Sequence, residues 1–496
     1  MDVTTLFIVL LCLILAIAFI IQRRCRRQNL PPGPMGWPGI GIIPILSRAE
    51  HHGKHPHTVM SELCHRYGTV FSFRLGTRLV VCLNTLESIK EAFNNNDICA
   101  REATLLHSIP GCPGEGVVSS SGRVWSDHRR FMSTIFRKFD VSKTVFQDKI
   151  IDEAEYLADV IGEFSGQPIH LHRYLANASA NAVSAVLFGK HYDYKNDEFC
   201  ELLQHIRSVL KFIGAGGKVF FLPPVLVKNV VYRKQYQEYV QHVNYFRHLF
   251  RNLIEEHKEH GQVGEDVQDL IDAYFVEMAK SPHGKSSFNA QNLEANMGDL
   301  ICAAFDTTSH TLLWLFLYMI HYPEVQIRIQ SELDSAIGPT GLPRLSDSAN
   351  IPYTEAVILE VQRMQTTLPL GGQHSTTKDT TIQGFDVPKG SIVLSNLWHV
   401  HHDPNAWEDP DVFRPERFLD ESGRVVVPPH FIPFSIGKRS CIGEKMARAE
   451  LFYFVTHLLH KFTFTKPNGA PETPFIGSMG LSYGPPHFEV CAAPRI

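Results

Sequence analysis

The chain lacks a C-x-x-C pair, an internal repeat, a low-complexity tract and any large excess of charge of one sign. Each absence removes a class of function. Ten cysteines scattered without that pair argue against a zinc ribbon and against a disulfide scaffold, and dispersed thiols in a long chain suit a reducing compartment. A formal charge of -4 and a pI near 6.7 give no electrostatic footprint for nucleic acid. No G-x-G-x-x-G or P-loop is present: Gly39-Ile40-Gly41 runs toward a proline, and Gly214-Ala215-Gly216-Gly217 lacks the third position. A nicotinamide cofactor is therefore not expected to bind this chain directly. What remains is a globular composition, 44% hydrophobic and 20% charged over 496 residues, long enough to bury a core around a large cofactor.

Charge is also missing from one run near the start. Leu6 to Ile21 is wholly apolar, and counted from Val3 the run just spans a bilayer core at about 1.5 Å per residue. Asp2 precedes it and Arg23, Arg24, Arg26 and Arg27 follow it. A cleaved signal peptide carries its positive charge first, so this order predicts an uncleaved anchor with the body in the cytosol. Residues 1–29 are read as anchor and basic stop-transfer, 30–44 as a proline-rich hinge, and 45–496 as one catalytic domain. Asn177-Ala178-Ser179 matches a glycosylation sequon, which this topology leaves unmodified.

The body reads as mainly helical with a small β-rich part. Phe71, Phe73 and Leu75 alternate with polar neighbours, and Leu79 to Leu83 follows across Gly76-Thr77, a hairpin signal. Helical periodicity covers Asp152 to Glu163, Glu198 to Phe212, Tyr232 to His260, Ala290 to Ile320, Glu324 to Ala336, Thr354 to Gln365 and Gly443 to Leu459. Short strand-like runs recur from Thr380 to Val393. Val219 to Val227, broken by Pro223-Pro224, reads either as a loop on the core or as a second membrane contact.

The chemistry gathers near the C-terminus. Phe434-Ser435-Ile436-Gly437-Lys438-Arg439-Ser440-Cys441-Ile442-Gly443 fits F-x-x-G-x-R-x-C-x-G, a match expected by chance on the order of once in ten thousand such chains. Gly437 and Gly443 let backbone approach a flat ligand. Cys441 sits just before a helical pattern, whose N-terminal amides favour a thiolate, and Arg439 adds a fixed positive charge.

This segment resembles the haem-ligand loop of cytochrome P450, and the likeness extends along nearly the whole chain, closest to the microsomal animal clan that oxidises drugs, steroids and fatty acids. The resemblance implies the P450 fold, haem b (iron protoporphyrin IX) and Cys441 as axial ligand of its iron. Glu360-Val361-Gln362-Arg363 matches E-x-x-R, and Arg417 in Pro415-Glu416-Arg417-Phe418 is implied as third member of a buried structural cluster. Ala303-Ala304-Phe305-Asp306-Thr307-Thr308 is similar to the oxygen-activation motif, with Ala304 where glycine is usual. Neighbours on a regular helix point about 100° apart, so a local opening is expected to let Asp306 and Thr307 act together as a proton relay; the alternative is a threonine that merely bonds back to Ala303. Trp125 and Arg129 fit W-x-x-x-R and share a helix face. The resemblance adds Arg101, His374 and Arg439 to them as partners of the haem propionates.

The pocket stretches the resemblance implies are small or apolar at Ile109, Val117, Val118, Ala303, Leu368, Leu370, Met479 and Leu481, which suits a lipophilic small molecule. Electrons are expected from NADPH indirectly, through a diflavin cytochrome P450 reductase and possibly cytochrome b5. Arg123, Arg130, Arg137, Lys138, Lys438, Lys445 and Arg448 offer that partner a basic face. The implied enzyme is a monooxygenase on the endoplasmic reticulum membrane, with no nucleic-acid partner. Rival readings are a haem-thiolate isomerase or dehydratase, which tends to lack the acid–alcohol pair, and a non-catalytic haem or lipid binder. Two histidine-rich stretches, His51 to His57 and His399 to His402, lack an ordered ligand spacing for a dedicated metal site.

Overall fold

The computed structural model describes residues 29–101, 115–138, 144–215, 232–260, 267–280 and 286–495. The expected anchor, the Val219–Val227 segment, Ile109 and the side chain of Lys138 lie outside them. The architecture is mainly helical with small sheets at its margins, as the sequence pattern suggests.

The helix Ala290–His321 runs through the core. Asn289 starts it, its side chain accepting from the Asn292 amide at 2.8 Å. Its second half, from Thr311 to Met319, is buried on every side, so it shows no amphipathic stripe. It is long and apolar enough to cross a membrane, yet most of that stretch is enclosed by protein. Around it pack Leu171–Leu187, Pro323–Ile337, Pro352–Met364 and Glu444–Lys461. Proline opens the second and third of these, where its missing N–H has no partner to lose. Leu171–Leu187 is buried from Leu175 onward and rich in alanine, serine and asparagine, which lets its backbone lie close to the central helix.

The predicted hairpin is present as Val70–Leu75 and Arg78–Leu83, paired antiparallel from Val70 opposite Leu83 to Leu75 opposite Arg78. Ile392–Ser395 joins Arg78–Leu83 in parallel and His374–Ser375 closes the sheet at its edge. A second sheet sets Val490–Pro494 between Pro168–Ile169 and Phe462–Thr465. The proline-rich segment is docked rather than free from Pro31 onward. Ser72 donates its amide to Pro32 O at 2.7 Å and its hydroxyl to Pro31 O at 2.7 Å. Met35, Trp37, Ile40 and Ile45 nevertheless leave apolar surface exposed on this edge.

Candidate active site

Cys441 lies on a loop pinned at both ends. Its amide donates to Phe434 O at 2.9 Å, and the Ser440 amide donates to Gly437 O at 3.2 Å. Gly437 has φ +80, and a Cβ there would fall 2.4 Å from Phe93 O, so this position requires glycine. Gly443 immediately precedes the helix Glu444–Lys461 and makes no such close approach to protein.

Two observations on Cys441 fix its setting. Its side chain keeps exposed surface, yet the surrounding protein desolvates it enough to push its thiol pKa up. Both hold for a thiol on the wall of an internal hollow. Ala303, in the middle of the core helix, also keeps exposed surface. The next residue back, Cys302, is desolvated so strongly that its thiol is pushed up to about 12.

The expected electrostatics need correction. Burial outweighs the Gly443 amide and Arg129, while Glu444 adds to the rise, so the helix N-terminus alone does not ionise Cys441. Arg439 is not the cation at the thiol either. Its guanidinium donates to Cys99 O at 2.9 Å, Val117 O at 3.3 Å and Ser120 O at 2.6 Å, and lies 4.1 Å over the Trp125 ring. Arg129 takes the place beside Cys441, donating to Ser440 Oγ at 3.4 Å.

Arg101, Arg129 and Arg439 gather into one cationic cluster, with the neutral imidazole of His374 beside it. Arg101 donates to Val118 O at 3.2 Å and to Gln373 O. His374 stacks on Phe93 with centroids 3.7 Å apart, and its Nδ1–H donates to Ile98 O at 3.0 Å. Burial lowers Arg101 to about 10, Arg439 to about 9 and His374 to about 3, and the cations lower one another further. Asp299 is the carboxylate facing Arg101 and Arg439, and burial pushes its own carboxyl up to about 7. The cluster thus carries more positive charge than its protein neighbours neutralise. A cofactor bearing two carboxylates and an iron that takes a thiolate fits this donor set, with Trp125, Phe93 and the glycine-bracketed loop around it.

Glu360, Arg363 and Arg417 meet as the sequence suggests. Arg363 donates to both carboxylate oxygens of Glu360, at 2.7 and 2.9 Å, and Arg417 donates to Oε1 at 2.9 Å. All three side chains are buried. Sequence reasoning missed the bridge from this cluster to the thiol loop. Arg363 also donates to His401 O at 2.8 Å, while His401 Nε2 accepts from the Ile432 amide at 3.0 Å. Ile432 O in turn accepts from the Ser435 amide at 2.9 Å. His401 sits in a stretch weighed only for metal, and its real partners are distant in sequence.

The central helix does not open at Thr307. The helix is continuous through Ala290–His321, and the Thr307 hydroxyl donates back to Ala303 O at 2.8 Å. Asp306 faces elsewhere. Its Oδ2 accepts from Ser482 Oγ at 2.7 Å, and its Oδ1 lies 3.6 Å from His310 Nε2. Of the apolar pocket residues, Val117 is buried, Val118 is exposed, and Leu368, Leu370, Met479 and Leu481 are half-buried. Arg123, Arg130, Arg137, Lys438 and Lys445 are exposed, and Arg448 lies over the Phe434 ring at 5.0 Å.

Comparison with known proteins follows the same lines. The family model described as Cytochrome P450 matches residues 31–492. Cytochrome P450 2J5 of Mus musculus is 36% identical over 481 residues, covering 96% of this chain and 93% of that protein. Cytochrome P450 2J2 of Homo sapiens is 34% identical over 501 residues, covering 99% and 96%. Cytochrome P450 2U1 of Homo sapiens is 33% identical over 507 residues, covering 95% and 91%.

Proposed function

The chain belongs to the cytochrome P450 family of haem-thiolate monooxygenases, and we propose that Cys441 ligates the iron of its haem b for oxidation of a lipophilic small molecule. The observation that carries the ligand assignment is the cationic cluster of Arg101, Arg129 and Arg439 beside a deeply set thiol.

When bound, the haem supplies activation of O2, with the thiolate pushing electron density toward O–O cleavage. The chain's own residues do the rest. Arg101, Arg129 and Arg439 would hold the two propionates, aided by His374 and the Trp125 ring. Glu360, Arg363 and Arg417 fix the loop through His401 and Ile432. Asp306 and Thr307 hold and move protons. The Thr307 oxygen keeps its acceptor capacity while its hydrogen is given to Ala303, and Asp306, turned toward Ser482 and His310, holds the proton that a local opening of the helix would pass on. Val117, Val118, Ala303, Leu368, Leu370, Met479 and Leu481 exclude water and offer an apolar substrate surface.

Electrons reach this protein from NADPH through a diflavin reductase, with cytochrome b5 as a second donor. The exposed Arg123, Arg130, Arg137, Lys438 and Lys445 support such a dock, as they suit an acidic partner near the thiol loop. The apolar run Leu6 to Ile21 with its following arginines supports anchoring in the endoplasmic reticulum membrane. The exposed Met35, Trp37, Ile40 and Ile45, which follow that run in sequence, support a membrane contact with further apolar surface.

The test is the carbon-monoxide difference spectrum of the reduced protein. Wild type gives a strongly red-shifted Soret band, and Cys441→Ser abolishes it. An unshifted wild-type band, or a shifted band retained in the variant, rejects Cys441 as the ligand.

A further inference from the structure

Asp306 needs a source of protons if it is to supply them, and its partners indicate where that source lies. Ser482 Oγ donates to Asp306 Oδ2 at 2.7 Å. Its single hydrogen is thereby committed, so His310 Nδ1, 2.7 Å from the same oxygen, must be the donor in that contact. Neutral His310 is therefore held as the Nδ1–H tautomer. Its other nitrogen, Nε2, carries the lone pair and lies 3.6 Å from Asp306 Oδ1. The ring has its place because residue 484 is glycine: a Cβ there would sit 2.7 Å from Cε1 and from Nε2 of His310.

Two more imidazoles lie against one another: His172, at the start of the helix Leu171–Leu187, and the exposed His487, with ring centroids 4.4 Å apart. Burial lowers both His172 and His310, and His487 adds to each shift. The charged groups nearby are Asp306 on the same helix, which raises His310, and Arg207, whose guanidinium lies 5.7 Å from the Phe305 centroid and feels both Asp306 and Arg173.

We propose that His310, whose side chain keeps some exposed surface, brings protons from solvent to Asp306, with Ser482 as the residue that fixes the His310 tautomer. A hydronium ion from solvent gives up one proton, its O–H bond breaking to leave water, and that proton adds to the Nε2 lone pair and makes imidazolium. The Nε2–H bond then breaks, its electron pair stays on nitrogen, and an O–H bond forms on Asp306 Oδ1. The carboxylate becomes a carboxylic acid and His310 returns to the Nδ1–H tautomer it started from, so no tautomer exchange is needed between cycles. His310 and Ser482 act through Asp306, and are positioning and relay residues. The inference rests on the proton role given above to Asp306 and Thr307.

Two readouts test it. Side-chain 15N NMR of histidine-labelled protein, with the His310 signals identified by their loss in His310→Gln, reads the tautomer without any turnover. Nδ1–H is expected in wild type and a mixed population in Ser482→Ala. The Nε2–H tautomer in wild type overturns the proposal. The second readout is product formed per NADPH consumed, followed from pH 6 to 8 with reductase. His310→Gln keeps the ring's approximate size but cannot titrate. It should divert flux to hydrogen peroxide by about tenfold or more and flatten the pH profile, since the titrating ring is gone. Ser482→Ala, which leaves His310 in place, should show a smaller loss, and Ser482→Thr should restore it. Asp306→Asn is the reference. Wild-type coupling in Asp306→Asn removes the Asp306 role and this relay with it. Uncoupling in Asp306→Asn with wild-type coupling in both His310→Gln and Ser482→Ala removes only the relay.

Discussion

The thiol loop and the central helix are held by opposite kinds of bond. The loop is fixed through charge: Glu360 takes three contacts from Arg363 and Arg417, and Arg363 passes the restraint on through His401 to Ile432 and Ser435. The central helix near Ala303 is held by hydroxyls returned to its own carbonyls, Thr307 to Ala303 at 2.8 Å, Ser309 to Phe305 at 2.7 Å and Thr311 to Thr307 at 2.9 Å. The first kind is costly to break, because it leaves a buried charge behind. The second contributes about 0.5–1.5 kcal/mol per bond and can be exchanged for water. The difference suits the roles proposed above, since a ligand to iron would have to stay still, whereas groups that pass protons would have to let go and rebind.

Arg363→Ala offers the largest break in this contrast. It leaves the Glu360 carboxylate buried with Arg417 as its one remaining cation, and His401 O loses its donor. The expected cost is about 3–5 kcal/mol by chemical unfolding. The red-shifted carbon-monoxide band should fall in parallel as the loop loosens. A cost below about 1 kcal/mol would mean that the cluster does not hold the loop.

Glu450 lies on the thiol helix beside Thr308 of the central helix, and so joins the two regions. Burial raises its carboxyl to about 8, with Glu153 adding to the rise and Thr308 opposing it. In the unfolded chain the same group ionises near 4.5. Between these values the folded state binds more protons, so stability falls as pH rises, by about 1.4 kcal/mol per pH unit. Glu450→Gln should remove this component, leaving a flatter stability profile from pH 5 to 8. An unchanged slope in the variant would show that Glu450 is ionised in the fold.

These residues differ in how far the sequence could disclose them. The long helices were legible because each buries one face or runs apolar for many turns, and their observed ends lie within a few residues of the pattern, Thr144–Gly162 excepted at its start. Leu171–Leu187 was missed, since burial on nearly all sides by alanine, serine and asparagine leaves no stripe to read. The thiol loop and the Glu360–Arg363 pair were visible because their members are close in the chain. His401, Ser482 and His310 were not, because their partners come from distant segments. The chain also misled at Arg439: proximity in sequence suggested a charge on Cys441, while the loop turns that side chain onto the carbonyls of Cys99, Val117 and Ser120.

Thr307→Ala is the gentlest change and separates the two regions most sharply. Removing the hydroxyl deletes one side-chain bond to Ala303 O, but that carbonyl is still served by the Thr307 amide within the helix, so nothing buried is orphaned. Stability should shift by less than about 1 kcal/mol, and the carbon-monoxide band should be unchanged in position and amount. The effect should fall on coupling instead, with product per NADPH down by about tenfold or more and hydrogen peroxide up to match. A variant that is unstable but still coupled would reverse the assignment, making Thr307 a structural brace like Arg363. A variant that is stable and uncoupled would show that the central helix carries chemistry in the bonds whose loss costs the fold least.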